Sequence, residues 1–98
     1  MAAKHLLATF NKKMLLVCGG AGFIGSNFIR YILSEYPQVK IVNFDKLTYS
    51  GNLDNLRDVS KKRHYVFVKG DVAKQKQIKD VFARHKPDFV INFSAETH

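Results

Sequence analysis

Four short stretches of the chain are almost continuously apolar: residues 14–18, 40–44, 64–69 and 89–93. Runs of this length without strict alternation predict strands of a parallel sheet covered on both faces. Between the first two lies an amphipathic segment, residues 23–36. There Ile24, Phe28 and Ile32 recur at i, i+4 and i+8 with Ile29 and Leu33 beside them, and Ser26, Asn27, Arg30 and Ser34 take the other side. This spacing predicts a helix, ended by Pro37. A second helix is predicted over residues 74–85, with Ile78, Val81, Phe82 and His85 on one face and lysines on the other. Residues 49–60 read less clearly; Leu53, Leu56 and Val59 suggest a short helix after the Gly51-Asn52 turn.

The resulting order, β-α-β-(α)-β-α-β, calls for an α/β fold. We expect a Rossmann-type, doubly wound parallel sheet with right-handed crossovers and strand order 3-2-1-4. Residues 14–98 form its amino-terminal, dinucleotide-binding part. Residues 1–13 precede the first strand and read as a disordered leader, with Met14 a natural start.

Composition narrows the classes. At 98 residues the chain holds one small domain. No apolar run is long enough to span a bilayer, so no membrane role is expected. The single cysteine, Cys18, excludes an intrachain disulfide and fits a reducing, cytoplasmic setting. The net charge of +8 raises the question of nucleic acid. The lysines are dispersed, however, and the one cluster, Lys61-Lys62-Arg63, reads as a solvated loop before a strand. Nucleic acid is therefore not an expected partner. No group of His, Cys and carboxylates has metal-ligand spacing.

The chemistry begins at Cys18-Gly19-Gly20-Ala21-Gly22-Phe23-Ile24-Gly25. This stretch satisfies both G-x-G-x-x-G (Gly20, Gly22, Gly25) and G-x-x-G-x-x-G (Gly19, Gly22, Gly25). It directly follows a strand and opens a helix, the context that gives the pattern meaning. Glycines there permit a sharp turn, close approach of the backbone to a pyrophosphate and tight helix–strand packing. Unbonded N–H groups and the helix dipole then face the phosphates. Asp45, about 20 residues beyond Gly25, stands at the end of the second strand, where an acid accepts the adenosine ribose hydroxyls and disfavours a 2′-phosphate. The cofactor expected is NAD; Lys46 softens the repulsion and keeps NADP as the alternative. Asp71, in Gly70-Asp71-Val72, either caps the following helix region or meets the adenine amino group. The last segment, 92–98, should line the crevice at the carboxyl ends of the strands, with Thr97 and His98 its polar groups.

Two Y-x-x-x-K matches, Tyr36/Lys40 and Tyr65/Lys69, are discounted as catalytic. That pair needs consecutive turns of one helix. Tyr36 sits at a helix end before Pro37, and along a strand four residues span about 13 Å.

These segments resemble the extended short-chain dehydrogenase/reductase family, and within it the nucleotide-sugar dehydratases. The resemblance runs from Met14 to His98. It is carried by Gly-Gly-Ala-Gly-Phe-Ile-Gly-Ser (19–26), Asp-Lys-Leu-Thr-Tyr-Ser-Gly-Asn (45–52), Gly-Asp-Val (70–72) and Ser-Ala-Glu-Thr-His (94–98). It implies a set of NAD contacts. Gly19, Gly22, Phe23, Ile24 and Gly25 would lie at the pyrophosphate. Asp45, Lys46, Leu47 and Thr48 would serve the adenosine half, with Asp71 and Val72 flanking adenine. Phe93, Ser94, Ala95, Glu96 and Thr97 would run along the cofactor, and Thr97 would also approach the substrate. The implied substrate is a nucleotide sugar such as dTDP-glucose, and the implied assembly a homodimer. The implied reaction is an internal redox elimination: the sugar is oxidised at C4, water leaves across C5–C6, and hydride returns to C6. Its Tyr/Lys and acidic pairs fall beyond His98, so no catalytic residue is assigned. Cys18 replaces the family's usual Thr, and Thr97 the subfamily's usual Ser. Within the same family an epimerase or decarboxylase is the alternative, and outside enzymes a bare nucleotide-binding module. The chain reads as a fragment with an open edge at its fourth strand, and we expect it alone to be marginally stable, aggregation-prone and inactive.

Overall fold

The β-branched and apolar runs do form strands. A computed structural model describes residues 12–47 and 53–94 and contains β1 (Met14–Cys18), α1 (Phe23–Glu35), β2 (Lys40–Asp45), a 3₁₀ helix (Leu53–Leu56), β3 (Tyr65–Lys69), α2 (Gln75–His85) and β4 (Phe89–Asn92). All three strand pairings are parallel and the sheet order is β3-β2-β1-β4, as the alternating pattern requires. Register places Val17 of β1 beside Asn43 of β2, and Asn43 beside Phe67 of β3.

Alternation along the central strands divides the core into two layers. Leu15, Val17 and Ile41 face α1, where they meet Ile29, Ile32, Leu33 and Tyr36, with Leu56 and Val59 from the 3₁₀ region closing the side. Leu16, Cys18, Val42 and Phe44 face the opposite way and are met by Val81 of α2, with Ile78 and Val72 at the margin. Burying each of these aliphatic side chains contributes about 1.5–3 kcal/mol. Most of that accrues on the α1 side, because Val81 is the one fully buried residue of α2.

Two expectations need correction. The strands are not all covered on both faces: β1 and β2 are, but Val66 on β3 and Phe89 and Val90 on β4 are exposed. Only the central pair has helices over both sides, so the edge strands keep one flank in solvent. The apolar stripe of α1 is also rotated from the expected one. Gly25, Ser26, Ile29, Ile32 and Leu33 are its buried residues, whereas Ile24 is 68% exposed. The cause lies at the helix start, where Gly25 packs against Gly19 and Gly20 of the preceding turn and Ile24 is left facing outward.

Helix ends follow local chemistry. Tyr36 closes α1, its N–H donating to Ile32 O, just before Pro37. Lys86 closes α2 in the left-handed region at φ 49°, its N–H donating to Phe82 O. Asp88 then locks the start of β4 to β1: its carboxylate accepts the Met14 N–H at 2.9 Å, and its own N–H donates to Met14 O at 2.8 Å.

Candidate functional site

The carboxyl ends of β1, β2 and β4 meet the amino end of α1, and the turn 19–22 lies between them. Its geometry is set largely by β2. Gly19 N–H donates to Phe44 O at 3.0 Å, Gly20 N–H to Asn43 Oδ1 at 3.0 Å, and Ala21 N–H to Asp45 Oδ2 at 2.8 Å. Three successive amides are thus taken up by three successive residues of one strand. Asn43 and Asp45 reach the turn because side chains two apart on a strand share a face, here the α1 face. Both are buried, and every buried side-chain polar atom among the described residues has a partner.

The next amides are left differently. Gly22 N–H reaches Gly19 O only at 3.4 Å. Among the described residues none accepts a hydrogen bond from the N–H of Phe23, Ile24 or Gly25, no side chain caps the helix, and its first turn holds no acid. These amides sit at the positive end of the α1 dipole, an arrangement suited to an anion. Phe23 and Ile24 flank the opening and are strongly exposed.

The glycines do different work here. Gly19 has φ +78°, and a Cβ on it would fall 2.6 Å from Ser94 N at the end of β4. A Cβ on Gly20 would strike the Asn43 amide and Ile29. A Cβ on Gly25 would fall 2.6 Å from Gly19 O and 2.8 Å from Gly20 Cα, so this residue sets how closely helix and turn approach. Gly22 is the exception. Its φ of −76° and ψ of 177° suit any residue, and a Cβ there would meet only Gly19 O, at 3.7 Å. Internal packing does not require glycine at this position; the space before it does if a bulky anion is to reach the free amides.

Asp45 has two tasks. Besides holding Ala21, its Oδ1 accepts the N–H of Leu47 at 2.8 Å. That bond supports Leu47 in the left-handed region (φ 59°), unusual for a branched residue. Each oxygen accepts one backbone bond and retains capacity for a hydroxyl. Lys46, between them, is exposed. Asp71 makes a local contact: its Oδ1 accepts the N–H of Ala73 at 2.9 Å, forming the turn that leads into α2 rather than capping the helix itself. Val72 packs at the edge of the α2-side core. Phe93 rests its ring on Phe28, centroids 5.3 Å apart, and Ser94 N–H donates to Asn92 Oδ1 at 2.8 Å. Thr48, Ala95, Glu96 and Thr97 lie outside the described residues.

Sequence reading passed over three contributors. Asn43 looks like one polar residue inside an apolar strand, and only its reach to Gly20 shows its use. Asn55 donates from Nδ2 to Ala21 O at 2.9 Å. Arg30 grips Asp58 through Nε at 2.7 Å and Nη2 at 3.0 Å, and also reaches Asn55 O. The guanidinium holds the Asp58 carboxyl below its ordinary 3.8. Together these tie the 3₁₀ segment to α1 and to the turn. Cys18 lies beneath the turn; burial first, and the Asp45 charge second, raise its thiol above the ordinary 9.0, so it stays a neutral core residue. Tyr65 and Lys69 both belong to β3, and Tyr65 is buried.

The comparisons with known proteins agree with this geometry. The family model described as GDP-mannose 4,6 dehydratase matches residues 16–98. Among curated relatives, the dTDP-glucose 4,6-dehydratase of Neisseria gonorrhoeae is 42% identical over 92 residues, covering 94% of this chain and 26% of that protein. The human dTDP-D-glucose 4,6-dehydratase is 43% identical over 86 residues, covering 88% and 25%. Among solved structures, the Bacillus anthracis dTDP-glucose 4,6-dehydratase in complex with NAD superposes with a TM-score of 0.83 at 45% identity, over 86% of this chain and 27% of that one. The Methanothermobacter thermautotrophicus epimerase Mth375 gives 0.80 at 27% identity, over 98% and 26%. The chain therefore spans about a quarter of the length of the curated relatives it matches.

Proposed function

The chain belongs to the GDP-mannose 4,6 dehydratase family, and from that premise we propose that it is the NAD-binding part of a nucleotide-sugar 4,6-dehydratase whose substrate is dTDP-glucose. The observation that carries the reading is the row of N–H groups at Phe23, Ile24 and Gly25, which find no acceptor among the described residues, beside a Gly22 where a Cβ would meet only Gly19 O. In this proposal those amides take the pyrophosphate. Gly19 lets the end of β4 run close beside them. Asp45 takes the adenosine ribose with its remaining lone pairs, Lys46, Leu47 and Thr48 border the adenosine half, and Asp71 and Val72 flank adenine. Phe93, Ser94, Ala95, Glu96 and Thr97 follow the cofactor toward the sugar, which Thr97 also meets. Bound there, NAD supplies reversible hydride transfer; the residues described here bind and orient it, and none is assigned to proton transfer.

The functional unit in this reading is residues 14–98, with residues 1–13 a leader, in a cytoplasmic, homodimeric enzyme with no nucleic-acid or membrane partner. No helix of the described residues is long and apolar enough to cross a membrane. An epimerase reading is supported by overlap with solved epimerases, such as the TM-score of 0.80 with the Methanothermobacter enzyme. The dehydratase relatives are favoured by their higher identity.

The test is calorimetric titration of the purified chain with NAD and NADP. NAD should bind at least about tenfold more tightly, a difference of roughly 1.4 kcal/mol, because a 2′-phosphate would face the Asp45 carboxylate. Equal affinities would count against Asp45 as the ribose acceptor, and no binding of either by a folded chain would count against the function.

A further inference from the structure

We propose that Asn43, oriented by the hydroxyl of Tyr65, is a positioning residue for the pyrophosphate site, a role that rests on the NAD reading above. The observations form a short chain of bonds. Tyr65 Oη accepts from Asn43 Nδ2 at 3.1 Å, and Asn43 Oδ1 accepts the Gly20 N–H at 3.0 Å. Both side chains are buried, Asn43 completely.

The two ends of the Asn43 amide differ in what they can bond. Asn offers an oxygen that accepts and a nitrogen that donates, almost identical in shape. Presented to the Gly20 N–H, the oxygen holds the turn and the nitrogen repels it. The Gly20 N–H can only donate and so selects the oxygen, and the Tyr65 oxygen, accepting from the nitrogen, holds the amide in that orientation. Burial pushes the Tyr65 phenol above its ordinary 10.0, so the group stays a neutral hydroxyl across the physiological range.

What this fixes is the register of the turn. Gly20 and Ala21 are held by Asn43 and Asp45, two residues apart on β2. With those two amides fixed, the following ones at Phe23, Ile24 and Gly25 are aimed together at one point. If Gly20 swings free, the turn loses the middle of its three amide anchors on β2 and the aim of the later amides broadens. Gly20 also has no room for a side chain, because a Cβ there would fall on the Asn43 amide and Ile29. The glycine and the asparagine therefore fit each other as a pair. A second carboxylate at position 43 would set two like charges on one strand face, beneath the proposed phosphate site; a neutral amide supplies the acceptor without that charge.

The test is Tyr65→Phe in the full chain, which removes one oxygen and keeps the ring. Folding is read by circular dichroism, NAD affinity by calorimetry, and the Gly20 amide by ¹H–¹⁵N correlation spectra. The variant should fold, bind NAD about tenfold more weakly, and shift the Gly20 resonance upfield while the amide of Val81, on the far side of the sheet, stays in place. Equal NAD affinity in the folded variant overturns the inference, whether or not the Gly20 resonance moves. A folded native chain that binds no NAD defeats the proposed function instead, so the two failures are distinguishable. Should Tyr65→Phe not fold, amide exchange in the native chain decides. Gly20 should exchange slowly, and Phe23, Ile24 and Gly25 quickly until NAD is added; a fast-exchanging Gly20 would overturn the inference.

Discussion

Replacing Gly22 and Gly25 by alanine should give opposite results, although both belong to the same motif. At Gly22 the backbone suits alanine and the new methyl meets one atom, Gly19 O, at 3.7 Å. Removing a glycine where the native conformation accepts alanine stabilises by about 0.4–1 kcal/mol through the unfolded state, which raises the melting temperature by roughly 2–8 °C in a domain of this size. In the proposed placement the same methyl stands where the pyrophosphate approaches the amides. Losing one charge-assisted hydrogen bond costs about 1.5–3 kcal/mol, so NAD affinity should fall roughly 10- to 150-fold. At Gly25 the methyl would press on backbone at 2.6 and 2.8 Å. Overpacking of this kind costs about 1–3 kcal/mol and should lower the melting temperature by roughly 5–20 °C. Thermal melts followed by circular dichroism, with calorimetric NAD titrations, read both variants. A Gly22→Ala chain that folds and binds NAD normally would refute the placement of the phosphate, and one that unfolds would refute the packing argument.

Further predictions follow from the same contacts. Asp45→Asn keeps one acceptor oxygen for two amides, those of Ala21 and Leu47. It should cost about 1–3 kcal/mol and weaken NAD binding; an unchanged urea midpoint would contradict this. Val81→Ala removes two methylene equivalents from the α2 contact, about 1.6 kcal/mol at the usual value per group, and should speed amide exchange in α2 before α1. Lys86→Gly relieves a side chain held at φ 49° and should stabilise by about 0.5–1 kcal/mol, seen as a higher melting temperature. Stability should also fall in alkali. Cys18 and Tyr65 have folded pKa values raised above their ordinary 9.0 and 10.0, burial being the first cause for both. Their contribution is complete below about pH 9 and is lost as pH rises through the folded values. Urea midpoints from about pH 7.5 to about pH 10.5 check the slope, and Cys18→Val should flatten its lower part.

Periodicity made the architecture legible because its main determinants are local. The apolar run 14–18 became β1 with the same bounds, and Pro37 and Gly22 bracket α1 as expected. Spacing alone could not reveal the rotated face of α1. Ser26 is buried and Ile24 exposed because Gly25 must touch Gly19 O and Gly20 Cα, a tertiary constraint that outweighs hydrophobicity at those two positions. The site divided along the same line. The glycine pattern and Asp45 carry their meaning in sequence, since turn, helix start and strand end lie at fixed offsets. Asn43, Asn55 and Arg30 act across 20 to 40 positions of chain, on partners that only the parallel register brings near. Asp71 stood between two roles because a short turn and a ligand contact ask for the same side chain; its bond to Ala73 shows the first.

In the proposed site β2 occupies the amides of Gly19, Gly20 and Ala21 and leaves those of Phe23, Ile24 and Gly25 for a pyrophosphate. Titrating NAD into the ¹⁵N-labelled full chain tests it most directly. The amide resonances of Phe23, Ile24 and Gly25 should move furthest downfield and saturate together, while those of Gly20 and Ala21 shift little. A folded chain in which those three amides do not respond to NAD, or in which Gly20 and Ala21 respond instead, would contradict it.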